Sequence, residues 1–357
     1  MTRILLLLFV VGELLATTGR SQTQSPETTK NDKNKVTALF RSYEDDDFIN
    51  FWGHGTDNAY TNGTRLDYFY QPAQRPHGIL GRHALRAGDS SIDIYSWGLM
   101  EIMYTPDDLT VKEWQPNDYQ YAGALVVSHA LYSYNPVKKY DLQTEVVFGI
   151  IGPAALGREF QTQFHRMIHY IIPQGWGHQF RNDALLNLNL TAEKEIFSAG
   201  NGLKVIAGGQ VYAGTMQNGA AIYPLILIGK MNPYFNGYFS QYTSTGAGRK
   251  KWQTYLMFKP ELQLFLQNAM LQGGMFTHNP NLEQTKSKFH SSTASTPQAN
   301  TAPPKLPELQ QWLPSFTYGF VITRGKFGFS ASQHVSSAYM KNLYCHTEGN
   351  ISLYFGL

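Results

Sequence analysis

From Val36 onward, apolar and polar residues alternate with period two in short runs separated by clusters of Gly, Asn, Asp and Pro. That is the pattern of strands with two unlike faces, not of helices. Twelve such runs fall near 36–46, 60–71, 90–103, 122–134, 139–151, 179–190, 203–214, 220–231, 251–266, 314–324, 326–336 and 349–356. An even number of strands is what a bacterial single-chain outer-membrane barrel requires. One segment breaks the period. Between Pro153 and Ile172, the residues Phe160, Phe164, Met167, Ile168 and Ile171 fall on one helical face. Pro153 suits a first helical turn and Pro173 ends the run. The stretch 285–307 is rich in Ser, Thr, Gln and Pro and reads as a loop.

Composition narrows the class of β protein. Aromatics reach 14% of residues and charged residues only 15%, against roughly 25% charged in soluble domains. The mean hydropathy of −0.32 is too polar for a helical membrane protein. An apolar outer belt, a wet lumen and aromatic girdles reconcile the two, with a soluble β-sandwich as the plainer alternative. The net charge of +3 is small, and no basic run interleaves with aromatics, so nucleic acid is not an expected partner. Cys345 is the single cysteine, which excludes an internal disulfide and a CxxC metal site; it is expected to pack as a small apolar residue.

The N-terminus reads as a secretory signal over 1–19. Arg3 supplies the positive charge, Ile4–Gly12 the apolar core, and Ala16–Gly19 the small residues for cleavage. A polar, disordered lead-in is expected over 20–35, and the barrel domain over 36–357. With the chain entering from the periplasm, the connections 47–59, 104–121, 152–178 and 267–313 all fall at the outer end, where long loops belong. The connection 72–89 falls at the other end and is longer than that rule expects.

The same outer rim collects the groups that could do chemistry. Glu44, Asp45, Asp46 and Asp47 crown the first strand; Asp57, Tyr60 and Thr61 open the second; Tyr104, Asp107 and Asp108 end the third. His165 lies on the rim helix, with Gln161 one turn earlier. Carboxylates beside a hydroxyl suit a hard cation such as Ca²⁺. Such an ion polarises an ester carbonyl, and a neutral imidazole takes a proton from water. Taken singly, an acidic strand end is most often a solvated turn, a helical histidine is most often structural, and Thr61 before Asn62-Gly63 can simply shape a bend. No GxSxG, HExxH or GxxxxGK[ST] motif occurs in the chain.

At these residues the chain resembles the outer-membrane lipid A 3′-O-deacylases, calcium-dependent twelve-stranded barrels. Glu44-Asp45-Asp46-Asp47-Phe48, Thr56-Asp57 and Tyr60-Thr61-Asn62-Gly63 are similar to the family's E-N-D-x-F…D-x-x-Y-T-x-G pattern. Tyr104-Thr105-Pro106 with Tyr121-Ala122-Gly123 resembles a second block. Gly149-Ile150-Ile151-Gly152-Pro153 through Gly157, Gln161 and His165 resembles a third. The resemblance implies that His165 activates water, that Asp46 helps hold Ca²⁺, and that Thr61 matches an active-site threonine. Asp45 stands where the family usually has asparagine; it is expected to join Asp46 as a metal ligand, but an ionised carboxylate cannot donate the amide hydrogen bond. Tyr119-Gln120 replace a common Arg-Pro, so Lys112 on the same loop, together with Gln161, is the expected substrate contact. The implied activity is hydrolysis of the 3′-linked acyloxyacyl ester of lipid A in lipopolysaccharide by a monomer in the bacterial outer membrane, its site facing outside. The alternatives are an outer-membrane phospholipase and a non-enzymatic barrel acting as a pore or surface-binding protein.

Overall fold

The computed structural model describes residues 36–50, 59–200, 202–245, 250–277, 281 and 307–357. The expected signal segment, the lead-in and residues 285–306 of the expected loop lie outside the described residues. Twelve antiparallel strands form a closed barrel in which each pairs with its sequence neighbours and the first with the last. They are β1 (Ala38–Asp46), β2 (Ala59–Tyr70), β3 (Ile92–Thr105), β4 (Ala122–Asn135), β5 (Tyr140–Ile151), β6 (Asp183–Ala199), β7 (Leu203–Gly214), β8 (Gln217–Lys230), β9 (Trp252–Asn268), β10 (Trp312–Arg324), β11 (Phe327–Ser336) and β12 (His346–Gly356). All twelve match the alternating runs in the sequence. The largest difference is β6, which extends well past residue 190 and carries an irregularity between Glu195 and Phe197. No helix among the described residues is long and apolar enough to cross a membrane.

Pleating sends successive side chains to opposite faces. The outer face carries exposed Trp97, Phe148, Leu186, Ile222, Leu256 and Phe316, an apolar belt of the kind a barrel turns to lipid. Inside, an ionic band ties the wall together across its middle. Asp67 on β2 accepts from Arg41 Nε of β1 and from Arg65 Nε, each at 2.8 Å. Arg65 reaches on to Glu145 of β5 at 3.0 Å, and Asn189 of β6 donates to the same carboxylate. Removing one partner from a buried charge network leaves the others uncompensated, at about 3–5 kcal/mol. The Asp67→Ala variant should therefore lose its compact, heat-modifiable gel band at a clearly lower temperature; an unchanged transition would remove this band from the account of stability.

Both mouths of the lumen are filled. At the end where β1 begins and β12 finishes, α3 (Tyr238–Tyr242) folds inward. There Tyr238 stacks on Phe69 at 4.1 Å and Tyr242 on Tyr354 at 4.1 Å. At the opposite end, α4 (Ala269–Gln272) brings Met270 and Leu271 onto Tyr119, Leu309, Tyr339 and Met340. Two further α-helices lie among the described residues: α1 (Ile79–His83) on the long connection after β2, and α2 (Gly157–Ile168). Cys345 is exposed, contrary to the expected packed position, because β12 begins only after it.

Candidate active site on the outer wall

The predicted rim helix exists, split into a 3₁₀ turn at Pro153–Ala155 and α2. Its orientation differs from the usual amphipathic rule. Gly157, Gln161 and His165 are the buried stripe, while Leu156, Phe164, Met167 and Ile168 are exposed. In water the apolar face would turn inward; at a lipid wall it lies free to face acyl chains. The helix seats on the outside of the barrel through two glycines. A Cβ on Gly157 would lie 3.0 Å from the Trp176 ring and 3.2 Å from the Gly123 Cα. Trp176 Nε1 donates to Gln161 Oε1 at 2.7 Å and packs with Met103, Leu109 and Tyr121. The Gly157→Val variant must push α2 off β4, and a misplacement of about 1 Å costs roughly 10²-fold in rate. The ester hydrolysis that the family resemblance implies should fall by about that factor with the barrel still heat-modifiable; full activity would mean the seating is irrelevant.

The imidazole of His165 is buried, and its Nδ1–H donates to the Ile171 carbonyl. That bond fixes the tautomer and leaves Nε2 as the basic nitrogen. The return of the chain is set by His169, whose left-handed backbone (φ 59) ends α2 and swings residues 170–171 back over the last turn. Tyr170 then meets the His165 ring edge-on at 5.2 Å and Phe48 at 6.5 Å. Phe48 donates its N–H to Asp46 Oδ1 at 2.7 Å. Side-chain contacts thus run from the first strand tip to the histidine, far apart in sequence.

Strand parity decides which acidic residues face this helix. Arg41, Tyr43 and Asp45 point into the lumen, so Glu44 and Asp46 point out. Asp45 accepts from Tyr43 and from Asn350 Nδ2 (2.9 Å) inside the barrel. The expectation that Asp45 and Asp46 share one ion is therefore corrected: neighbouring residues of one strand cannot turn to the same face. Thr61 reaches the outer face by a different route. The register shifts between Tyr60 and Asn62, and this bulge lets Tyr60 turn inward onto Tyr104 at 5.4 Å while the Thr61 hydroxyl meets that of Thr105 at 2.7 Å. Bulges commonly re-aim a side chain in this way.

The outward series on β1–β3 is then Glu44 and Asp46, Asn62 and Thr64, Glu101 and Thr105, with Thr61 added by the bulge. Asn62 Nδ2 donates to Glu44 Oε1 at 2.6 Å and lies 3.5 Å from Asp46 Oδ2. Thr64 donates to Glu44 at 3.1 Å. This polar stripe interrupts an otherwise apolar wall beside α2. Glu101 and Thr64 were not singled out by the sequence reading, and Thr105 entered it only within the Tyr104-Thr105-Pro106 block; the signal for Glu101 was its place in the outward alternation Trp97, Leu99, Glu101, Met103.

The remaining expected residues lie elsewhere. Lys112 is exposed on the β3–β4 loop. Asp108 is spent on its own turn, where hydrogen bonds from the Thr110 hydroxyl and N–H hold its carboxyl below the usual carboxylate range. Asp107 donates its N–H to Asp118. Thr56 and Asp57 lie outside the described residues. Among the described residues no three carboxylate, imidazole or thiolate groups converge as a ready-made metal cage. The outward donors are instead mixed carboxylate, amide and hydroxyl oxygens, a set that fits a hard cation by type.

Comparisons with known proteins agree with this architecture. The family model described as outer membrane protein LpxR matches residues 4–357. Among solved structures, the fold is similar to LpxR from Salmonella typhimurium, with a TM-score of 0.65 and 15% identity over 90% of this chain and 100% of that one. The β domain of the Bordetella autotransporter BrkA aligns with a TM-score of 0.40 and 10% identity over 90% of this chain and 100% of that one. A search of curated proteins returned no match.

Proposed function

Because the chain belongs to the LpxR family of outer membrane proteins, we propose that it is a lipid A deacylase, hydrolysing the 3′-linked acyloxyacyl ester in the outer leaflet. One observation carries this reading. A buried histidine with its Nδ1 tied to a carbonyl sits on the wall-facing side of a helix on the lipid-facing outside of the barrel, next to the polar stripe that begins at Asp46. A soluble substrate would have no reason to be met there; an ester hanging from a lipid headgroup arrives at that height without leaving the membrane. The end of the barrel opposite the start of β1 carries the longest connections and is assigned to the cell exterior. One chain supplies the whole site and the closed sheet leaves no edge to pair, so the working unit is taken as a monomer.

In the proposed reaction, Nε2 of His165 takes a proton from water as the water oxygen attacks the ester carbonyl carbon. The bond from that carbon to the 3′-linked oxygen then breaks, and the imidazolium returns the proton to the departing alkoxide. The products are a 3′-hydroxyl and a free acyloxyacyl carboxylic acid. Gln161, fixed by Trp176, and Thr61, fixed by Thr105, orient the ester beneath the helix. Asp46 and the neighbouring outward oxygens would hold Ca²⁺. When bound, that ion supplies Lewis-acid polarisation of the carbonyl. The exposed apolar flank of α2 accompanies the acyl chains.

Mass spectrometry of lipid A from cells expressing the protein, with and without calcium chelation, tests the proposal. The expected result is loss of one acyloxyacyl group only when calcium is present. Accumulation of lysophospholipid with intact lipid A would instead assign a phospholipase, and unchanged lipids would assign a non-enzymatic barrel. The filled lumen speaks against a pore.

A further inference from the structure

Glu44 on β1, Thr64 on β2 and Glu101 on β3 face each other in one row across three adjacent strands. All three point to the outside of the wall. Glu101 is only 7% exposed, and its Oε1 has no hydrogen-bond partner among the described residues. No Lys, Arg or His pairs with Glu44 or Glu101 among those residues. Among the lumenal carboxylates, Asp67, Glu145 and Glu195 are each paired with an arginine or lysine, and Glu193 accepts from two tyrosine hydroxyls. A buried carboxylate without a partner costs free energy unless something compensates it. On a wall that otherwise carries apolar side chains, the buried Glu101 carboxylate, in one row with a half-buried Glu44 held only by the neutral donors Asn62 and Thr64, points to a positive occupant that no side chain provides.

We propose that Glu101 and Glu44 complete the cation site beneath Asp46, with Glu101 as a ligand or direct electrostatic partner of the bound divalent ion. The inference rests on the calcium reading above and extends it to residues on a third strand. Adjacent strands are about 4.8 Å apart, so the Cα atoms of residues 44 and 101 lie about 10 Å apart. Two glutamate side chains reaching over Thr64 can converge on one ion across that span. Asn62 lies between Glu44 and Asp46 and presents its Oδ1 when its amide turns, which makes the donor set wholly oxygen.

Calorimetric titration of Ca²⁺ into the chelator-stripped barrel in detergent micelles tests this without reference to turnover. Glu101→Gln keeps the shape and removes the charge; it is expected to weaken Ca²⁺ binding at least tenfold, as is Glu44→Gln, which serves if the first variant does not fold. Glu348→Gln, a lumenal carboxylate change, should leave the affinity as it is. Unaltered affinity in a folded Glu101→Gln or Glu44→Gln barrel overturns the inference and leaves the calcium reading standing. Absence of saturable Ca²⁺ binding by the unaltered protein overturns both.

Discussion

The His165→Ala variant is expected to lose about 10³-fold or more of its ester hydrolysis while folding normally, read as lipid A remaining fully acylated in expressing cells. The size follows from the role. A positioned base contributes roughly 10²–10⁴-fold, and here Nε2 is the single ring nitrogen left basic once Nδ1 is committed to the Ile171 carbonyl. The imidazole is buried, so its loss also opens a small space between helix and wall. A glutamine at 165 refills that space without restoring a base, and it should be as inactive as alanine. Substantial hydrolysis by the glutamine variant would mean that His165 is packing rather than chemistry.

The Asp46→Asn variant should fall by about 10²–10³-fold, the loss typical when one stabiliser of a developing oxyanion is removed. Its signature differs from that of the histidine variant. Raising free calcium should recover part of the activity of Asp46→Asn and none of that of His165→Ala, because only the former weakens ion retention. Activity assayed over a calcium titration in mixed micelles separates the two. Calcium-independent turnover at the unaltered rate in Asp46→Asn would remove the ion from the mechanism. Asp45→Asn supplies the comparison. Its carboxylate lies inside the barrel with Tyr43, Tyr60 and Asn350, so its effect should fall on stability more than on calcium demand.

Strands were legible in the sequence because each barrel strand has two chemically different faces, and alternation records that directly. What alternation does not record is register. Asp45 and Asp46 are equivalent as letters, and the pairing with Gly63 and Asn62 is what sends one inward and one outward. The bulge that releases Thr61 to the outer wall shifts parity within a single residue, and no local composition specifies where it falls. The rim helix was legible as amphipathic but not as inverted: its apolar stripe reads identically whether water or lipid lies beyond it. Glu101 was missed because a lone glutamate in an outward series resembles surface solubility until the surface is known to face hydrocarbon.

The seating of α2 against the outside of β4, through the Gly157–Gly123 contact, has a kinetic consequence. In the proposed reaction, substrate would reach this histidine by sliding sideways within a film, so the relevant concentration is a mole fraction per unit area. Diluting lipid A with inert detergent at constant bulk concentration should slow the reaction, and half-saturation values compared between preparations carry meaning only at a fixed lipid-to-detergent ratio.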